Sequence, residues 1–106
     1  MLKMLIADDE PVIIRGLQML IDWAQLGIEI CATCENGADA LREIFAKSPD
    51  LALLDISMPG KTGIEILKAL HTAQSRTKVI FISGFQDFSY AHDALSYGAV
   101  DYLLKP

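Results

Sequence analysis

A chain of 106 residues fits one domain, and 52% hydrophobic residues supply the apolar surface for a single core, which argues against disorder. The net charge of -5, from 14 acidic and 9 basic residues, argues against a nucleic-acid surface, because gripping a phosphate backbone needs clustered Lys and Arg. No apolar run approaches the roughly 18 residues needed to span a bilayer, so neither a membrane contact nor a membrane location is expected and the chain reads as cytoplasmic.

The first apolar run, Lys3–Ala7, is cut off by Asp8-Asp9-Glu10 and is too short for a signal peptide, so it reads as a buried strand. A first helix opens at Pro11, a residue suited to the first helical turn. Its apolar positions Val12, Ile13, Leu17, Leu20 and Ile21 recur at helical spacing, and the pattern fades near Gly27. Ile28–Cys34 is the second strand and holds a C-x-x-C, Cys31 and Cys34. Three residues apart on a strand, the two side chains are expected on opposite faces, and His71 and His92 are too far along the chain to complete a zinc site. The pair therefore reads as two small, buried apolar residues.

A second helix follows Asn36-Gly37, carries Ala40, Leu41, Ile44 and Phe45, and is stopped by Ser48-Pro49. Leu51–Leu54 is the third strand, and a third helix runs from about Gly63 through Ile64, Leu67 and Leu70. Val79–Ile82 is the fourth strand. A fourth helix starts near Asp87, uses Ala91, Ala94 and Leu95, and ends at Gly98. Val100–Leu104 is the fifth strand. Near-continuous apolar runs alternating with helices predict an α/β, flavodoxin-like, doubly wound parallel sheet of five strands in the order 2-1-3-4-5.

Polar residues end these runs. Asp8 and Asp9 follow strand 1, Asp55 follows strand 3, Ser83 strand 4 and Lys105 strand 5. In a parallel sheet all these ends share one edge, which is the ligand edge of the fold. Three carboxylates there repel each other, and one lysine does not balance them, whereas a divalent ion does. Hard oxygen donors select Mg²⁺, with Mn²⁺ as the alternative. A carboxylate can act as a nucleophile toward phosphorus, and Asp55 is the best placed because it ends a central strand. On this reading Asp9 and Asp55 hold the metal, Asp8 acts through a coordinated water, and Ser83 and Lys105 bind the phosphoryl oxygens. Asp and Ser are also ordinary turn residues at strand ends, but five in concert are harder to explain that way. There is no Gly-rich nucleotide loop and no nucleophile elbow around Ser83.

Four stretches, Asp8-Asp9-Glu10-Pro11, Leu53-Leu54-Asp55-Ile56-Ser57-Met58-Pro59-Gly60, Ile82-Ser83-Gly84 and Asp101-Tyr102-Leu103-Leu104-Lys105-Pro106, resemble the receiver domains of bacterial two-component response regulators. The resemblance covers residues 1–106 as one receiver domain. It implies that a sensor histidine kinase phosphorylates Asp55, with the domain catalysing only its own phosphotransfer and dephosphorylation. It implies further that the backbone carbonyl of Ser57 is a metal ligand, and that a cis Lys105-Pro106 peptide aims the ammonium. Ser83 and Tyr102 would form the switch pair, with Ser57 and Phe85 tuning dephosphorylation.

Ile21-Asp22-Trp23-Ala24-Gln25-Leu26-Gly27 and Ser83-Gly84-Phe85-Gln86-Asp87-Phe88-Ser89-Tyr90-Ala91 resemble the branch whose output is an AraC-type helix-turn-helix. That branch implies a transcription factor whose DNA-binding output domain lies outside this sequence. Phe88, Tyr90, Tyr97 and Tyr102 are compatible with a homodimer through the helix 4–strand 5 face. The family has a fifth helix and the sequence stops at Pro106, so half of one sheet face is expected to be uncovered and apolar. Two alternatives compete. One is a haloacid-dehalogenase-type phosphatase, whose Asp-x-Asp spacing is absent here, and the other is a receiver-like module used only for protein contacts.

Overall fold

A computed structural model of the chain describes residues 1–83, 98–99 and 101–104. Five parallel strands, β1 (Leu2–Ala7), β2 (Ile28–Cys34), β3 (Leu51–Asp55), β4 (Lys78–Ser83) and β5 (Asp101–Leu104), form one sheet in the order β2-β1-β3-β4-β5. Among the described residues three helices, α1 (Pro11–Leu20), α2 (Gly37–Lys47) and α3 (Gly63–Thr72), make the crossovers from β1 to β4. This is the expected flavodoxin-like topology. The helix expected from Asp87 to Gly98 lies outside the described residues.

The strands are apolar on both sides because each side is packed. Leu5, Ala7, Ala52, Leu54, Val79 and Phe81 meet α2 and α3 through Ala40, Ile44, Ile66, Leu67 and Leu70. The alternate residues Met4, Ile6, Leu53 and Ile82 meet Ile14 of α1. On the α1 side Ile28, Ile30, Leu51 and Ile80 are only partly buried.

Helix α1 departs from its sequence reading in length and in face. It ends at Leu20 instead of fading toward Gly27, and residues 23–27 form a turn. Its buried residue is Ile14, whereas Val12 and Leu20 are 61% and 87% exposed, so the apolar spacing pointed about one position off the true face. Trp23 explains the early stop: its indole Nε1 donates to the Leu17 carbonyl at 2.9 Å, occupying an acceptor in the last turn of the helix. The Trp23 carbonyl then accepts from Ile28 N at 2.9 Å, so one residue ties the end of α1 to the start of β2. Trp23→Phe keeps the ring and removes the donor. It should cost about 1 kcal/mol in urea unfolding, and an unchanged midpoint would show that the indole bond contributes nothing.

Strand β2 contains an irregularity. Met4 pairs with Ile30 but Leu5 pairs with Ala32, so Cys31 is an extra residue opposite β1. Ile28 and Ile30 accordingly pack on the α1 side, and Ala32 and Cys34 on the α2 side. Regular alternation therefore does not relate Cys31 to Cys34; Cys34 is buried as expected, whereas Cys31 is only partly buried. Burial pushes the Cys34 thiol up to about 11, with the negative charges of Glu43 and Asp39 acting in the same direction. Because the folded state holds this proton more tightly than the unfolded chain, Cys34 should lower stability as pH rises from about 9 to about 11, with no effect below. At pH 8 iodoacetamide should label the half-buried Cys31 well before Cys34, which peptide mapping by mass spectrometry would check.

Candidate functional site

Ala7 of β1 and Leu54 of β3 are directly paired, so Asp8 and Asp55 leave neighbouring strands at the same level. Adjacent strands are about 4.8 Å apart. Ala7 and Leu54 face the α2–α3 core, so alternation turns Asp8 and Asp55 to the same, opposite side of the sheet. The Asp8 N–H still bonds the Cys34 carbonyl at 3.0 Å, which keeps this residue in strand-like geometry. Both aspartates are buried, at 0% and 2% exposure.

The two carboxylates are anchored in the same way. Asp8 Oδ1 accepts from Glu10 N at 2.9 Å, and Asp55 Oδ1 accepts from Ser57 N at 3.3 Å. In each case the backbone amide two residues on closes a local turn over the side chain. These bonds orient the two carboxylates before any ligand arrives.

Asp9 and Glu10 are exposed beside Asp8, and one oxygen from each of the three lies within 4.8 Å of the others. A set of carboxylate oxygens without sulfur or nitrogen suits Mg²⁺ or Mn²⁺ and not zinc or copper. Glu10 is the addition here. In the sequence it is part of the acidic stop after strand 1 and of the Asp8-Asp9-Glu10-Pro11 stretch, but is not assigned to the metal.

Helix α3 is seated directly on the Asp55 backbone. Gly63 N donates to the Ile56 carbonyl at 2.7 Å. A Cβ at Gly63 would lie 2.6 Å from Phe81 Cε1, 2.8 Å from the Asp55 carbonyl oxygen and 3.0 Å from Ile56 Cα, so this approach needs glycine. The helix is started by a capping box: Glu65 N donates to Thr62 Oγ1 at 3.2 Å, and Thr62 N donates to Glu65 Oε1 at 3.1 Å. The Thr62 amide, with its hydroxyl second, holds the Glu65 carboxyl below its ordinary value.

The remaining site residues are reached by register alone. Ser83 closes β4 opposite Leu104, and Tyr102 lies opposite Phe81. Ser57 is exposed, two residues past Asp55. Lys105, Pro106 and Phe85 lie outside the described residues, as do Phe88, Tyr90, His92 and Tyr97. His71 is exposed on α3. Among the described residues no helix is long and apolar enough to cross a membrane.

A family model described as the response regulator receiver domain matches residues 4–106. The chain belongs to this family. The receiver domain is 39% identical over 106 residues to an uncharacterized transcriptional regulatory protein, YesN, of Bacillus subtilis (strain 168), covering 100% of this chain and 29% of that protein. It superposes on the receiver domain of AraT, a response regulator from Geobacillus stearothermophilus, with a TM-score of 0.92 and 37% identity, covering 99% of this chain and 81% of that one. A two component transcriptional regulator AraC from Clostridium phytofermentans gives a TM-score of 0.87 and 31% identity, covering 100% and 82%.

The chain thus spans under a third of the YesN relative. Membership makes it a regulatory receiver domain of two-component signal transduction, with relatives that regulate transcription. Receiver domains as a class work with histidine kinases and output domains, and bind Mg²⁺ through an acidic cluster such as the Asp8-Asp9-Glu10 group. The match is to receivers and not to the phosphatase alternative.

Proposed function

We propose that this receiver accepts a phosphoryl group on Asp55 from a histidine kinase, in a reaction dependent on Mg²⁺, and so controls a transcription-regulating output domain. The observation that carries this reading is the shared level and shared face of Asp8 and Asp55 at the ends of neighbouring strands, next to the carboxylates of Asp9 and Glu10.

In the proposed reaction a carboxylate oxygen of Asp55 attacks phosphorus. The bond from phosphorus to the donor histidine nitrogen breaks, and its electron pair leaves with the imidazole. Asp55 then carries an acyl phosphate. Asp9 and Asp55, with the Ser57 carbonyl and with Asp8 through a water, would hold the metal, and Glu10 is close enough to join them. The bound metal would offset the carboxylates and the charge spread over the phosphoryl oxygens. Ser83 and Lys105 are assigned to those oxygens, and Tyr102 is assigned to follow Ser83 in the switch.

The Ser57 N–H contact to Asp55 Oδ1 supports Asp55 as the acceptor, since it orients the buried carboxylate at the end of β3. An AraC-type output is supported by the likeness to the Clostridium phytofermentans regulator and by the resemblance of the Ile21–Gly27 stretch. The test is to incubate the chain with a small acyl phosphate and Mg²⁺, trap the product, and map it by mass spectrometry. Label on Asp55 is expected. Label on Asp8 or Asp9, or none in a folded sample, would overturn the proposal.

A further inference from the structure

The loop after Asp55 is held by a second element as well as by its own helix. The Gly37 N–H, at the first residue of α2, donates to the Pro59 carbonyl at 2.9 Å. The contact is closer than any side chain allows. A Cβ built on Gly37 would fall 1.7 Å from the Lys61 carbonyl oxygen and 2.5 Å from its carbon. Across the same seam, a Cβ on Gly60 would meet Ala38 N at 3.3 Å and Asn36 Oδ1 at 3.9 Å. Main chain is therefore packed on main chain, with Asn36 fixing the turn by accepting from Asp39 N at 2.8 Å. None of this belongs to α3 or to β3.

We infer that the first turn of α2, through Gly37, is a positioning element for the acceptor loop: it sets where Ser57 and Asp55 stand relative to the acidic cluster. The inference rests on the proposed phosphoryl acceptance at Asp55. Its physical basis is the length of chain involved. Only Ser57 and Met58 separate Asp55-Ile56, fixed by β3 and by the Gly63 bond, from Pro59, fixed by Gly37. A loop pinned on both sides of two residues has little freedom, so the Ser57 carbonyl and the Ser57 N–H that orients Asp55 are placed together. A shift of about 1 Å at Pro59 falls on Met58 and Ser57, the two residues between the pins.

Gly37→Ala tests this directly. Because the added Cβ meets the Lys61 main chain, a merely structural contact predicts a lower melting temperature with unchanged chemistry in the folded chain. Positioning predicts in addition Mg²⁺ affinity weakened at least tenfold and phosphoryl uptake from a small acyl phosphate slowed at least tenfold, measured on folded chain. Gly16→Ala in α1, where a Cβ meets nothing within 4 Å, is the control and should leave both unchanged.

If Gly37→Ala does not fold, Asn36→Ala decides, because it loosens the turn without adding an atom. A three- to tenfold weakening of Mg²⁺ binding in folded chain supports positioning, and wild-type affinity overturns it. Folded Gly37→Ala with wild-type affinity and rate also overturns it. Failure of the wild-type chain to take up label at Asp55 would sink the functional proposal instead, so the two failures are distinguishable.

Discussion

Asp55→Asn should take up no phosphoryl label from an acyl phosphate in Mg²⁺ while still folding cooperatively. The amide is nearly the same size and keeps an oxygen for the Ser57 N–H, so the local turn should survive. It is not a useful nucleophile, and it removes one negative charge next to Asp8 at a position only 2% exposed. Relieving repulsion between two buried carboxylates should leave the melting temperature at or above that of the wild type. The same change should weaken Mg²⁺ binding, because the remaining donors carry one charge fewer. Label persisting at wild-type levels, or moving to Asp9 with unchanged yield, would show that Asp55 is not the acceptor.

Phe81→Ala should cost about 3–5 kcal/mol, the usual range for emptying a large aromatic from a core. Phe81 is fully buried on a central strand and, among the described residues, is the largest side chain so enclosed. It pairs with Leu54 on one side and Tyr102 on the other, and its ring edge lies against Gly63 where α3 meets the Asp55 backbone. A domain of this size has about 5–15 kcal/mol of stability in all, so the variant should be marginal. Urea titration should show a lower midpoint with a similar slope. A loss below about 1.5 kcal/mol would mean that the ring is not tightly enclosed.

The strands were legible because burial on both faces writes itself as unbroken apolar runs. Ile28–Cys34 matches β2 residue for residue, and the other strands differ only by residues at their ends. Helices α2 and α3 were also legible, α2 from the local signals Asn36 and Ser48-Pro49 and α3 from the spacing of Ile64, Leu67 and Leu70, although its Thr62 cap was not read. Helix α1 was misjudged at its far end because its stop is not local: Trp23 reaches back six residues to Leu17. The convergence of Asp8 and Asp55 followed from strand order alone. The seating of α3 and α2 on the acceptor loop did not, because Gly63 and Gly37 act by what they lack. Their need for glycine appears only once Phe81 and Lys61 are in position.

The extra residue at Cys31 lets an edge strand serve two layers. Its lower half sends Ile28 and Ile30 to one side with Glu29 toward water, and its upper half sends Ala32 and Cys34 to the other with Thr33 toward water. The strand is amphipathic twice, in opposite senses. A polarity scan along β2 therefore shows unbroken alternation, with Glu29 and Thr33 outward, and gives no sign that the buried side changes at Cys31. Deleting that one residue would regularise the pairing and leave Ala32 and Cys34 on the side they already occupy, opposite Leu5 and Ala7.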